Sequence, residues 1–164
     1  MKHLWSPWRM QYIENHPART GCIFCQALAS SDDAASLLLH RAQHAFVLLN
    51  RFPYTSGHLM VVPNLHAATL EDVPLEALAQ VMALTQTALK ALRRVYAPQG
   101  FNLGVNLGES AGAGVVDHVH LHVVPRWTGD TNFMAALADT RVLPETLEET
   151  YRRLSQAWQE ISPP

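Results

Sequence analysis

Three histidines stand at every second position in His118-Val119-His120-Leu121-His122, inside an apolar run that continues through Val123, Val124 and Pro125. Successive side chains of a β-strand point to opposite faces, so positions i, i+2 and i+4 share one. His118, His120 and His122 are therefore expected to line one face, with Val119, Leu121 and Val123 on the other. A strand rise of about 3.3 Å spaces such imidazoles roughly 6–7 Å apart. Imidazole titrates near neutrality, so a row of three can hold a phosphate, offer a nucleophile or bind a metal. The plainer alternative is a surface strand whose polar face carries histidine three times by accident.

The glycine-rich loop Gly108-Glu109-Ser110-Ala111-Gly112-Ala113-Gly114 runs directly into this segment. Glycines let the backbone approach an anion and aim N–H groups at it. The loop joins two strands and does not open a helix, so it matches neither a dinucleotide fingerprint nor a P-loop. Loop and row together suggest covalent catalysis at phosphorus. A neutral imidazole attacks, forms a phosphoramidate and divides one hard displacement into two easier ones. The flanking histidines would steady charge on the phosphoryl oxygens. His120, flanked on both sides, is the natural nucleophile.

Both cysteines fall in Cys22-Ile23-Phe24-Cys25. Such a pair is a redox couple, half of a zinc site, or two inert thiols. Redox chemistry wants a thioredoxin-like βαβ setting, which the pattern lacks. Zinc wants two further ligands, typically histidine.

The elements that must position these groups are legible in outline. At 164 residues, with 48% apolar and 16% charged residues, the chain is expected to form a single domain over 1–164. A net charge of −2 gives no basic field, which argues against nucleic acid as a partner. No apolar stretch approaches the roughly 20 residues of a membrane span, and the N-terminus does not read as a signal peptide. A cytoplasmic protein with no membrane partner is the expectation.

Residues 1–20 carry Trp5, Trp8 and Tyr12 and read as an irregular arm. Strands are expected over 44–50 and 58–63, joined through a turn at 51–57. A long helix follows, with Asp72 as a cap, Pro74 in its first turn and an apolar stripe at Leu75, Leu78, Met82, Leu89 and Leu92. That stripe is expected to be core. A second stripe at Val81, Leu84, Ala88, Ala91 and Val95 widens the face beyond what one sheet covers, so a partner subunit is plausible. Further strands are expected over 101–107 and 115–125, and a last helix over 144–161 within a C-terminal segment 140–164. Leu147, Tyr151, Leu154 and Trp158 share one side of it, and the mixed charges from Glu145 to Arg153 read as a solvated face. His3, His16 and His40 are expected to be solvated, and Trp5, Trp8 and Trp127 to serve packing. The fold class is α+β with a mainly antiparallel sheet.

The run His-Val-His-Leu-His-Val-Val strongly resembles the histidine triad family of nucleotide hydrolases and transferases. The resemblance extends to residues 49–63, Leu-Asn-Arg-Phe-Pro-Tyr-Thr-Ser-Gly-His-Leu-Met-Val-Val-Pro, and to residues 4–13 and 125–133. The last two resemble the bacterial branch that holds diadenosine tetraphosphate phosphorylases and hydrolases. The resemblance implies a five-stranded sheet with one long helix and a C-terminal helix, extended across a homodimer. It implies a nucleotide substrate, with His120 as nucleophile, His122 on the reacting phosphate and leaving group, and His58 as a further active-site histidine. Asn50 falls where relatives bind ribose, Asn106 where an amide nears phosphate, and Phe24, Phe46 and Leu48 near the base. The positions where many members place a phosphate-binding Gln or Ser followed by Ser or Thr are here Gly114 and Val115. Phosphate would then depend on backbone N–H groups of the Gly112–Gly114 segment. Cys22 and Cys25, with His66 and His118, match positions that bind structural zinc in some members; His44 is the alternative ligand.

The implied activity is cleavage of a dinucleoside polyphosphate, with phosphate as acceptor favoured over water. A nucleoside phosphoramidate hydrolase and a non-enzymatic nucleotide-binding module are the rival readings.

Overall fold

A computed structural model describes residues 21–130 and 144–161. In chain order it contains α1 (Ile23–Ala29), β1 (Leu38–Arg41), β2 (Ala45–Leu49), β3 (Leu59–Pro63), a 3-10 turn (Leu70–Asp72) and α2 (Leu75–Tyr96). These are followed by β4 (Gly100–Val105), a second 3-10 turn (Glu109–Ala111), β5 (Leu121–Arg126) and α3 (Leu147–Ile161). The five strands form one sheet in the order β1-β2-β3-β5-β4, every neighbouring pair antiparallel. The expected α+β class with a five-stranded antiparallel sheet therefore holds. The arm 1–20, with His3, Trp5, Trp8 and His16, and residues 131–143 and 162–164 lie outside the described residues. Among the described residues no helix is long and apolar enough to cross a membrane.

β2 and β3 are buried along their whole length, because both of their faces are covered. One face meets α2 and α3 in the main core, where Val47, Leu49, Leu59, Val61 and Val123 pack on Ala88, Leu92, Leu154 and Trp158. The other face carries a smaller cluster of Phe46, Leu48, Met60 and Val62 beneath Phe24 of α1. Gly57 closes the turn between β2 and β3 at φ +79°, where a Cβ would lie 2.8 Å from Leu92 Cδ2 and 3.0 Å from the Tyr96 ring. Only glycine lets this turn press on α2 and deliver the next residue, His58.

Several expectations need correction. The histidine strand begins at Leu121, so His118 and His120 precede the ladder and only His122 lies within it. Asp72 sits in the 3-10 turn, and Pro74 takes the N-cap position of α2 without a side-chain cap. The core face of α2 runs through the second stripe, Val81, Leu84, Ala88 and Ala91, joined from the first stripe by buried Leu92 and by Leu89. Leu75 is 81% and Met82 51% exposed, because they point away from the sheet. His40 is not a solvated loop residue: it lies on β1, half-buried, with its ring stacked on Trp158 at 5.4 Å. Glu145 is not solvated either. Only 13% of its side chain is exposed, and it binds Arg153, Thr150 and the Tyr96 hydroxyl.

Candidate active site and metal centre

The β3–β5 register builds the site. Met60 pairs with His122, and Gly104 of β4 pairs with His122 from the other side. Leu48 pairs with Met60, so Leu48, Met60, His122 and Gly104 share one sheet face. His58, two residues before Met60, falls on that face as well. Gly104 leaves open space where a larger side chain would stand beside His122.

Hydrogen bonds assign each imidazole nitrogen. The Tyr54 backbone N–H can only donate, and it reaches His58 Nδ1 at 3.1 Å. Neutral His58 therefore carries its proton on Nε2, which donates to His122 Nδ1 at 3.0 Å. His122 in turn carries its own proton on Nε2. The Tyr54 ring stacks on His122 at 6.1 Å.

His120 is 4% exposed, and its Nδ1–H donates to the carbonyl of His118 at 2.8 Å. Its Nε2 lone pair is thereby left for an electrophile. Burial pushes its pKa below the ordinary histidine value, which keeps the ring neutral and nucleophilic. The rings of His120 and His122 stand 4.8 Å apart, closer than a regular strand face would set them.

His118 faces a different cluster. Its Nε2–H donates to the carbonyl of Pro63 at 2.9 Å, so Nδ1 is the nitrogen that offers a lone pair. Nδ1 lies 3.3 Å from Cys22 Sγ, 3.7 Å from Cys25 Sγ and 3.3 Å from His66 Nδ1, while Cys25 Sγ lies 3.4 Å from His66 Nδ1. The ligand atoms of all four residues lie within 4.8 Å of one another. Zinc bonds of about 2.0 Å to nitrogen and 2.3 Å to sulfur give tetrahedral edges of about 3.3–3.8 Å. Four of the six edges, at 3.3–3.7 Å, have that length, and the His118–Pro63 bond is the kind of outer contact that would orient a ligating histidine. The residues fit a closed, four-ligand zinc site that would hold no open position for water. His44 lies outside it, its backbone N–H bound to the Gln80 amide oxygen.

The remaining expected residues are less fully engaged. Asn50 Oδ1 accepts from the Phe52 N–H at 2.9 Å, and its amide lies 3.4 Å from His58 Nδ1. Asn106 follows the end of β4 and is half-buried. The Gly112 N–H bonds the Glu109 carbonyl at 2.8 Å and closes the loop's own turn, while Gly114 is exposed. Trp127 packs edge-on against Tyr96 and donates Nε1–H to the Tyr96 carbonyl, which is the expected packing role. Sequence reasoning missed Tyr54 and the Pro63 carbonyl. The first had a signal, an aromatic four residues before a site histidine; a backbone carbonyl has none.

A family model for the HIT domain matches residues 32–129. The chain is 38% identical to an AP-4-A phosphorylase of Mycobacterium tuberculosis (strain CDC 1551 / Oshkosh), over 96% of this chain and 85% of that protein. Among solved structures, a Zn-bound histidine triad family protein from Mycobacterium smegmatis is similar at 32% identity and TM-score 0.69, covering 85% of this chain and 94% of that one. A HIT family member from Bacillus subtilis is similar at 25% identity and TM-score 0.61, covering 83% and 96%. With the family model spanning more than half its length and a relative 38% identical over nearly the whole chain, this chain belongs to the HIT domain family.

Proposed function

We propose that the protein cleaves dinucleoside polyphosphates, diadenosine tetraphosphate first among them, through a nucleoside monophosphate carried on His120. The observation that carries the reading is the buried, neutral His120, its Nδ1–H fixed on the His118 carbonyl and His122 beside it. HIT membership and the AP-4-A phosphorylase relative support an enzyme that acts on nucleotides.

His120 Nε2 attacks a phosphorus attached to adenosine, and the bond from that phosphorus to the bridging oxygen breaks. The electron pair leaves with ATP, whose departing oxygen takes a hydrogen bond from His122 Nε2–H. His58 acts through His122 by holding that tautomer. A phosphate oxygen then attacks the His120-bound phosphorus, expels the imidazole and forms ADP. Water in its place would give AMP. Phosphate is favoured because the phosphorylase relative matches nearly the whole chain. Asn50 is assigned to the ribose, and Asn106 with Gly112 and Gly114 to the phosphates.

Cys22, Cys25, His66 and His118 are assigned to a structural zinc ion. A second copy is assigned to the outer edge of β4 and the exposed side of α2, where Leu103 is 47% exposed and Leu78, Met82 and Val105 line an apolar groove of about 260 Å³. The reading needs neither nucleic acid nor membrane, and it puts the enzyme in the cytoplasm with its nucleotide substrates.

Product analysis of diadenosine tetraphosphate, incubated with and without phosphate, tests the reaction. ADP and ATP only with phosphate is the expected result. AMP and ATP regardless of phosphate would reassign the acceptor to water. Tight binding without turnover, or much faster turnover of an adenosine phosphoramidate, would overturn the substrate assignment.

A further inference from the structure

His120 lies outside the β5 ladder, which begins at Leu121, so hydrogen bonding between strands does not fix its ring. Two other groups do. One is the His118 carbonyl, which accepts the His120 Nδ1–H at 2.8 Å. The other is Phe24, only 1% exposed, whose ring centroid lies 4.8 Å from that of His120 and 5.4 Å from that of His118. Both trace back to the thiol–imidazole cluster. His118 is one of its four members, and Phe24 sits between two others, Cys22 and Cys25, on the first turn of α1.

A helix of seven residues has little stability of its own. At its C-terminal end α1 is pinned by Arg41, whose guanidinium donates to the Leu28 and Ser30 carbonyls. At its N-terminal end the cysteines are the anchor. The apolar cluster of Phe46, Leu48, Met60 and Val62 seats the Phe24 side chain on the sheet, and the cysteines tie the backbone on either side of it to His66 and His118.

We propose that Phe24 is a positioning residue for the nucleophile, and that zinc at Cys22, Cys25, His66 and His118 sets the orientation of the His120 ring through Phe24 and the His118 carbonyl. The zinc site is then mechanically part of the active site, although none of its ligands touches the substrate. The inference rests on the zinc assignment, and its kinetic arm rests on His120 as nucleophile.

The test uses full-length protein with 15N-labelled histidine, zinc-loaded, zinc-stripped by chelator, and zinc-loaded as Phe24→Leu. The readouts are the His120 ring N–H resonance, bound zinc, and kcat and KM for diadenosine tetraphosphate. Stripping zinc is expected to shift or broaden that resonance in protein still folded by circular dichroism. Phe24→Leu is expected to keep full zinc, move the same resonance, and lower kcat on the order of 10- to 100-fold with little change in KM. An unmoved resonance in both samples overturns the proposal. If stripping unfolds the chain, Phe24→Leu alone decides it. A raised KM with unchanged kcat and resonance also overturns it, making Phe24 a wall for the base. A zinc-sensitive resonance in a protein that turns over no dinucleotide leaves the coupling standing and removes the proposed reaction instead.

Discussion

His118 and His122 belong to one run of alternating histidines, yet their surroundings hold them by opposite means. His118 gives Nε2–H to a backbone carbonyl and turns Nδ1 toward two thiols and a second imidazole. His122 has its Nδ1 occupied by His58 and keeps its proton on Nε2. Between them His120 gives Nδ1–H to a carbonyl and keeps an Nε2 lone pair. Three chemically identical side chains are thus equipped for the three proposed roles of ligand, nucleophile and donor according to which nitrogen a neighbouring group claims. The role of a histidine is decided by its hydrogen-bond partner, and spacing only brings it within reach.

Exchanging those roles should break the site in a graded way. His120→Asn removes the nucleophile and is expected to reduce turnover by at least about 10⁴-fold while nucleotide binding persists. Measurable rates near wild type would end the covalent scheme. His58→Ala frees His122 Nδ1 and allows either tautomer, so kcat should fall about 10²-fold with a smaller change in KM. Steady-state kinetics across a pH series would show the profile shifting with it; an unchanged profile would make His58 a packing residue.

On the metal side, Cys22→Ser should lower zinc occupancy by elemental analysis and lower the melting temperature by several degrees, since metal binding is folding free energy. Full occupancy in that variant would remove Cys22 from the ligand set.

The smallest effect concerns His40. Burial against Trp158 lowers its pKa below 6.5. The unfolded chain then binds more protons than the folded one, so stability falls as pH drops below 6.5 and levels off under the folded value. His40→Gln should narrow the difference in melting temperature between pH 7.5 and pH 5, a comparison that calorimetry resolves.

How far the sequence revealed all this varied with the physics. Triad alternation survives in the structure: Val119 joins Ala67, Val73 and Ala77, while His118 and His120 meet Phe24. What the alternation could not tell was where hydrogen bonding to a neighbouring strand begins, since the side-chain pattern is the same on either side of Leu121. β1 escaped the pattern because it is four residues long, follows Leu37 at φ 56°, and shifts register between Leu38 and His40. The two stripes of α2 were both visible, but apolarity alone does not say which faces the sheet. The candidate metal ligands came from resemblance, and their convergence to within 4.8 Å of one another came only from the fold. Glu145 read as a surface charge because its partners, Tyr96 and Arg153, stand 49 and 8 residues away in sequence.

β4 closes the sheet on one side with Gly100-Phe101-Asn102-Leu103-Gly104-Val105, which contains neither a charge nor a proline. Strand edges are ordinarily blunted by such residues, because bare backbone groups recruit any passing strand. With a second copy seated there, as proposed, the edge is masked by association alone. Solubility would then be a property of the pair, and thinning the solution, the usual remedy for precipitation, would be what uncovers the template.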